Sequence, residues 1–218
     1  MSCRTCRGPV EARFARCYQC DLALSQAGRL LADAVAPIGF AVRGGPLAGD
    51  LRRYKSDRAD ASERRRSQVR LRESLATFLR DEGDALWRAA GMTAGPSAAA
   101  VVPSGQGRSG VHPLVGIVRA CVDLPLVRLG IAAEVAHIRG VDAGWLRVTG
   151  AVAGADVLVV DDTWVSGGSA QSAAVALKLA GARRVAIVVL GRHINPAGPS
   201  SAGFLAALEQ ADPAGEIP

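Results

Sequence analysis

Residues 157–171 read VLVVDDTWVSGGSAQ, and this stretch decides the fold. Val157, Leu158, Val159 and Val160 carry no polar alternation, as expected of a strand covered on both faces. The run AQSAAVALKLAGA that follows (170–182) combines helix formers with apolar residues at helical spacing, and Gly181 suits a C-terminal cap. RRVAIVVLG (183–191) supplies a second buried strand. Strand, loop, helix and strand form a unit on which ligands sit beyond the carboxyl ends of the strands. Asp161 and Asp162 are expected at that end.

The loop between the aspartates and the helix has anion chemistry. Val165, Ser166, Gly167, Gly168 and Ser169 precede the helix, where unpaired backbone N–H groups and the helix dipole favour a negative charge. The glycines permit close approach, and Ser166 and Ser169 add hydroxyl donors. Two carboxylates repel a phosphate unless they hold something else. A ribose 2′,3′-diol fits, its hydroxyls donating to Asp161 and Asp162 while a 5′-phosphate sits in the loop. Neither GxxxxGK[ST] nor GxGxxG is present, so this is not a Walker A or a dinucleotide loop. The alternative is an acidic strand end that merely caps the next helix.

Composition bounds the rest. A chain of 218 residues and 22.5 kDa with 49% hydrophobic and 21% charged residues suits one main globular domain with a small appendage. Aromatic residues make up only 4%, so Ala, Val and Leu must build the core. No apolar run reaches the ~20 residues of a membrane span, and the N-terminus is unlike a signal peptide, so a cytoplasmic location is expected. The net charge of +6 lies in the N-terminal part: residues 1–90 hold 17 Lys/Arg against 11 Asp/Glu, and residues 91–218 hold 9 against 9. That permits nucleic-acid contact without establishing it.

Cys3, Cys6, Cys17 and Cys20 form a C-x2-C-x10-C-x2-C array. Two short thiol pairs on a loop bring four ligands to tetrahedral geometry around one structural Zn²⁺. A segment this small has little core, so metal binding would supply its folding energy. Disulfides, which a cytoplasmic setting disfavours, and an iron–sulfur or redox role are the alternatives. The expected organisation is a zinc ribbon over 1–24, the main domain over 25–198, and a short helix with a loose tail over 199–218.

Between these anchors the pattern predicts a helix over 22–35 and a strand over 38–45. Leu47, Leu51 and Tyr54 share a helical face. A helix is expected from Asp60, with Glu63 as its capping-box partner, through about Arg80. Val69, Leu71, Leu75, Phe78 and Leu79 are available for its burial. Arg64, Arg65, Arg66, Arg70 and Arg72 mark its outer face, read as a solvated surface or a DNA or RNA contact. A buried strand then runs into a Gly/Ser-rich loop over 99–113, followed by a helix over 114–124 with Cys121 in the core. A strand over 130–140 and a connecting stretch containing Trp145 complete the chain up to Val157. His193 is read as a base-site contact or a polar loop residue, and His112 and His137 as structural.

The segment VLVVDDTWVSGGS resembles the phosphoribosyl pyrophosphate (PRPP) signature of type I phosphoribosyltransferases. Joined to a four-cysteine ribbon, it is similar to the ComF-like (competence protein F type) family, named for a bacterial protein of DNA uptake. LRRYKSD, VVPSGQGRSG and LKLAGARRVAIVVLGR extend the likeness over most of the chain. The resemblance implies an α/β fold, a doubly wound, mainly parallel sheet of type I phosphoribosyltransferase type with a small N-terminal zinc ribbon. Asp161 and Asp162 would hold the ribose hydroxyls, and Val165, Ser166, Gly167, Gly168 and Ser169 the 5′-phosphate. Pro103, Ser104 and Gly105 would follow the pyrophosphate, with Arg108 as a charge partner and Mg²⁺ bound through the pyrophosphate. The chain departs from the family at RSGVHP, where an RGFNQ-like element is usual, and in a shortened segment before the Val157 strand. The expected function is binding of PRPP–Mg²⁺ and transfer of its phosphoribosyl group to an unidentified base or amine acceptor. The alternative is a non-catalytic PRPP- or nucleotide-binding module that binds single-stranded DNA. A homodimer is a further open expectation.

Overall fold

The computed structural model describes residues 1–104, 111–132, 140–198 and 200–211. Its elements are α1 (Tyr18–Ala27), a 3-10 turn (Gly28–Leu30), β1 (Ala34–Val42), α2 (Pro46–Arg53), α3 (Ala61–Asp81) and α4 (Gly83–Ala89). There follow β2 (Ala98–Val101), α5 (Pro113–Cys121), β3 (Leu126–Ile131), β4 (Leu146–Thr149), β5 (Asp156–Trp164), α6 (Gly168–Leu179), β6 (Arg184–Ile194) and α7 (Ser201–Ala211).

Six strands form one sheet in the order β1-β6-β5-β2-β3-β4. All neighbours pair in parallel except β4, which lies antiparallel on β3 at one edge. This is the expected doubly wound, mainly parallel α/β sheet, and the central strands show why. Along β5 and β6, Val157, Val159, Val185, Ile187 and Val189 face one apolar layer, which also holds the Ala-rich side of α6 and Cys3, Cys6 and Cys20. Leu158, Val160, Ala186, Val188 and Leu190 face a second layer, with Leu51, Tyr54, Leu71, Leu75, Leu114 and Val118 from α2, its C-terminus, α3 and α5. Strands that bury both faces need consecutive apolar residues, and Val157–Val160 in β5 and Val185–Leu190 in β6 supply them.

The direction of winding locates the crevice. The β2–α5–β3 crossover steps towards one edge and the β5–α6–β6 crossover towards the other. The order reverses between the adjacent strands β2 and β5, and ligands of open α/β sheets bind at the carboxyl ends of such a pair. Val101 pairs with Val160, so β2 ends level with Asp161, while β5 continues beside β6 to Trp164.

Several expectations shift. The predicted helix over 22–35 is instead α1, ending at Ala27, because Gly28 takes φ 50° and β1 claims the chain from Ala34. β1 therefore starts four residues before the predicted strand. The connecting stretch contains β4, an edge strand with only one mostly apolar face, and α4 continues from α3 across Glu82. Asp60 caps α3 by accepting from the Ser62 N–H at 2.7 Å. Leu71 and Leu75 are buried, whereas Val69 is exposed. Cys121 ends α5 and is half-buried rather than mid-helix, packing against the second layer. Most of the strand predicted over 130–140, with His137, lies outside the described residues. Among the described residues no helix is long and apolar enough to cross a membrane.

Candidate functional site

Asp161 and Asp162 occur within the last four residues of β5, which runs on to Trp164 instead of stopping at the acids. Their surroundings differ. The Asp162 Oδ2 accepts from the Tyr54 hydroxyl and the Lys55 ammonium, each at 2.5 Å. Burial raises its pKa, but the Lys55 charge and these two hydrogen bonds outweigh burial and hold it below the usual carboxylate range. The Asp161 Oδ1 accepts the Asp162 N–H at 2.8 Å. Burial first, and the Asp162 charge second, push its carboxyl up to about 8, and the Lys55 charge lowers it only as a weaker influence. Burial and mutual repulsion disfavour ionising both acids together, and the favoured charge lies on Asp162.

Tyr54 and Lys55 sit at the C-terminal end of α2; the sequence places Tyr54 on a helical face and marks neither as a partner of Asp162. The signal was the LRRYKSD stretch, whose partner across the fold only the structure reveals. Tyr54 is fully buried, with its ring edge-on to His112 at 6.3 Å between centroids. His112 caps α5 through Nδ1, which accepts the Leu114 N–H at 3.2 Å, so its structural role holds. It also lies near enough to lower Asp162.

The turn after β5 is built by sterics. Gly167 is the N-cap of α6 at φ 84°, a left-handed conformation that glycine adopts freely. A Cβ there would lie 2.1 Å from the Trp164 ring, and one on Gly168 would lie 2.6 Å from the Gly140 carbonyl. Only two glycines let the backbone pass between Trp164 and residue 140. The Ser166 Oγ accepts the Gly168 N–H at 3.3 Å. Gly168 and Ser169 are already the first residues of α6, so Val165, Ser166 and Gly167 alone form the turn.

Pro103 and Ser104 follow β2 and line a cleft of about 910 Å³ with His112, Arg119 and Arg128. The two aspartates stand outside its lining, joined to it through the Tyr54–His112 contact. Gly105 and Arg108 lie outside the described residues. His193 is the penultimate residue of β6 rather than a loop residue, and burial, then the charges of Arg43 and Arg192, lower its pKa. Arg70, expected on the outer basic face, forms a two-bond ion pair with the buried Asp50, which also accepts from Arg53 and Ser67. Asp50 is thereby held near 2.

The four cysteines converge. Their sulfurs all lie within 4.8 Å of one another, and the Cys6 and Cys17 sulfurs are 3.8 Å apart. A tetrahedron with Zn–S bonds of about 2.3 Å has edges of about 3.8 Å, so the donor set fits zinc. Side-chain hydrogen bonding, with Cys17 first, lowers Cys3 and Cys6, the latter to about 6, and raises Cys20. Four sulfurs so close cannot ionise together without a cation among them. Arg7 at φ 58° turns the first knuckle, and its N–H donates to the Cys3 carbonyl at 3.0 Å.

No family model matches the sequence, and no curated protein matches it. Among solved structures, the chain is similar to adenine phosphoribosyltransferase from Leishmania tarentolae, at 17% identity over 83% of this chain and 87% of that one, TM-score 0.42. It is also similar to the PRPP complex of Mycobacterium tuberculosis orotate phosphoribosyltransferase, at 16% identity over 76% and 81%, TM-score 0.40. A purine phosphoribosyltransferase from Pyrococcus horikoshii matches at 19% identity over 61% and 90%, TM-score 0.35. Likenesses this distant carry no argument about chemistry, which rests on the β5–α6 turn itself.

Proposed function

We propose that the chain binds PRPP with Mg²⁺ at the β2/β5 crevice and transfers its phosphoribosyl group to a nitrogen acceptor, in the manner of the ComF-like family. One observation carries this reading: an acidic pair at the carboxyl end of β5 leads directly into a turn that only glycines can make, at the N-terminus of α6. A ligand with a diol at one end and a phosphate at the other matches that order of groups.

In this reading the ribose hydroxyls donate to Asp161 and Asp162, and the backbone of Val165, Ser166, Gly167, Gly168 and Ser169 receives the 5′-phosphate. Pro103, Ser104, Gly105 and Arg108 follow the pyrophosphate. Mg²⁺ bound with PRPP would supply charge that offsets the pyrophosphate. The acceptor nitrogen attacks C1 of the ribose, the C1–O bond to pyrophosphate breaks, and the configuration at C1 inverts. The Asp162 carboxylate, ionised and held in place by Lys55 and Tyr54, favours positive charge developing on the sugar. Zinc held by Cys3, Cys6, Cys17 and Cys20 would have a structural role.

Calorimetry with PRPP and Mg²⁺, together with pyrophosphate release in the presence of purines, pyrimidines and amines, tests the reading. Asp162→Asn weakens acceptance from one hydroxyl, worth roughly 1.5–3 kcal/mol for a charge-assisted bond. PRPP affinity should drop about 10- to 100-fold. Wild-type affinity in this variant refutes the assignment. Tight PRPP binding with no acceptor releasing pyrophosphate makes the chain a binding module instead.

A further inference from the structure

Arg192, near the end of β6, is only 9% exposed, and the reading above does not use it. Its guanidinium touches two parts of the molecule that are far apart in the chain. Nε donates to the Cys6 Sγ at 3.3 Å. Nη1 donates to the carbonyls of Trp164 at 3.0 Å, Val165 at 3.1 Å and His193 at 2.6 Å. One side chain thus holds a sulfur of the knuckle, the last carbonyl of β5 and the first carbonyl of the β5–α6 turn.

The knuckle is shaped to admit it. Gly8 lies against the guanidinium, and a Cβ there would come within 2.6 Å of Nε and 2.7 Å of Nη2. On the turn side the grip has a geometric consequence. Among the described residues no peptide bond is cis, so the C=O of one residue and the N–H of the next point in opposite directions. Holding the Trp164 and Val165 carbonyls therefore aims the N–H groups of Val165 and Ser166 away from Arg192. The Trp164 ring, buried in the same apolar layer as Cys3, Cys6 and Cys20, closes against Gly167 and transmits the same constraint to the N-terminus of α6.

We infer that Arg192 is a positioning residue through which the state of the four-cysteine knuckle sets the geometry of the β5–α6 turn, so that metal in the knuckle and a phosphate ligand at the turn are coupled. Loss of the metal frees the four sulfurs from one another, and the sulfur held by Arg192 moves with them. The guanidinium then loses its anchor, and the two carbonyls lose their common donor. Coupling of this kind is reciprocal: a ligand that needs the ordered turn must also slow loss of the metal. Contacts run without a break from Cys6 through Arg192 and Trp164 to Gly167, giving the coupling a physical path. The ligand half of this inference rests on the phosphate reading of the turn, whereas the knuckle-to-turn half does not.

The test uses the zinc-loaded full chain, Arg192→Lys, and Gly8→Ala, which displaces the guanidinium while leaving every hydrogen-bonding group present. Amide exchange of peptides spanning the turn is compared before and after zinc is stripped, and zinc release to a chelator is timed with and without PRPP–Mg²⁺. Typical couplings are roughly 5- to 150-fold, so zinc removal should speed exchange at the turn by at least about fivefold. PRPP should slow zinc release by a similar factor. Both effects should shrink in Gly8→Ala and vanish in Arg192→Lys, which a merely structural role would not produce. Unchanged exchange in stripped wild type, or full coupling in Arg192→Lys, overturns the inference. If Arg192→Lys does not fold, Gly8→Ala with undiminished coupling overturns it equally. Coupled exchange in a zinc-loaded wild type that does not bind PRPP overturns the phosphate reading and leaves the knuckle-to-turn link standing.

Discussion

Asp161→Asn should make the ligand-free protein more stable while weakening PRPP binding. Asp161 is pushed from its ordinary 3.8 to about 8 by burial and by the Asp162 charge. An acid whose pKa is higher in the folded chain takes up a proton on folding. Its effect on stability is therefore neutral below about pH 4, turns progressively unfavourable as pH rises to about 8, and levels off above that. At 1.36 kcal/mol per pKa unit, the cost accumulated by pH 7 has an upper bound of about 4 kcal/mol. Asp161 keeps part of its surface in water, so a gain of about 1–2 kcal/mol from the neutral amide is the expected magnitude. The amide oxygen can still accept the Asp162 N–H that Oδ1 now receives. Urea denaturation of wild type and variant at pH 5, 7 and 8.5 measures this. The gain should be smallest at pH 5 and grow towards pH 8, while calorimetry shows PRPP affinity reduced about tenfold or more. A variant less stable than wild type at pH 8, or a gain that does not change with pH, refutes the unequal ionisation of the pair.

Lys55→Met removes the cation held by Asp162 and should cost roughly 1.5–3 kcal/mol at neutral pH. Because Asp162 has a lowered pKa when folded, this cost should fade as pH falls through that pKa, and a loss that stays constant into acid contradicts the pairing. Purified protein should carry close to one zinc per chain by metal analysis, and Cys→Ser at Cys3, Cys6, Cys17 or Cys20 should abolish it; zinc retained by any single variant would falsify four-sulfur coordination. Gly167→Ala must accommodate both a φ of 84° and a Cβ beside the Trp164 ring, so thermal denaturation should register roughly 2–4 kcal/mol of lost stability. The same variant should bind PRPP weakly, and wild-type stability would show that the turn is not packed as described.

The stretch around residue 157 was legible because its signals are local. A strand buried on both faces has no choice but to be apolar throughout, and Gly167 and Gly168 are required by backbone geometry at one place in the chain. The cysteine spacing was legible for the same reason, since a knuckle is closed by residues three apart. Asp60 announced the start of α3 by its own side chain. By contrast, β4 and α4 were missed. An edge strand with one covered face and a helix continuing from another leave weak periodic signals, and their partners decide them.

What the sequence alone determined, then, is the set of groups that a few consecutive residues create: the acidic strand end, the glycine turn and the four sulfurs. Only the tertiary structure decided that Lys55 and Tyr54 meet Asp162, that Asp50 neutralises Arg70, and that Arg192 joins Cys6 to the Trp164 and Val165 carbonyls. The reason is physical. These pairings depend on the sheet order β1-β6-β5-β2-β3-β4 and on which layer each helix covers. A buried charge carries no mark in the chain of the partner that folding brings to it.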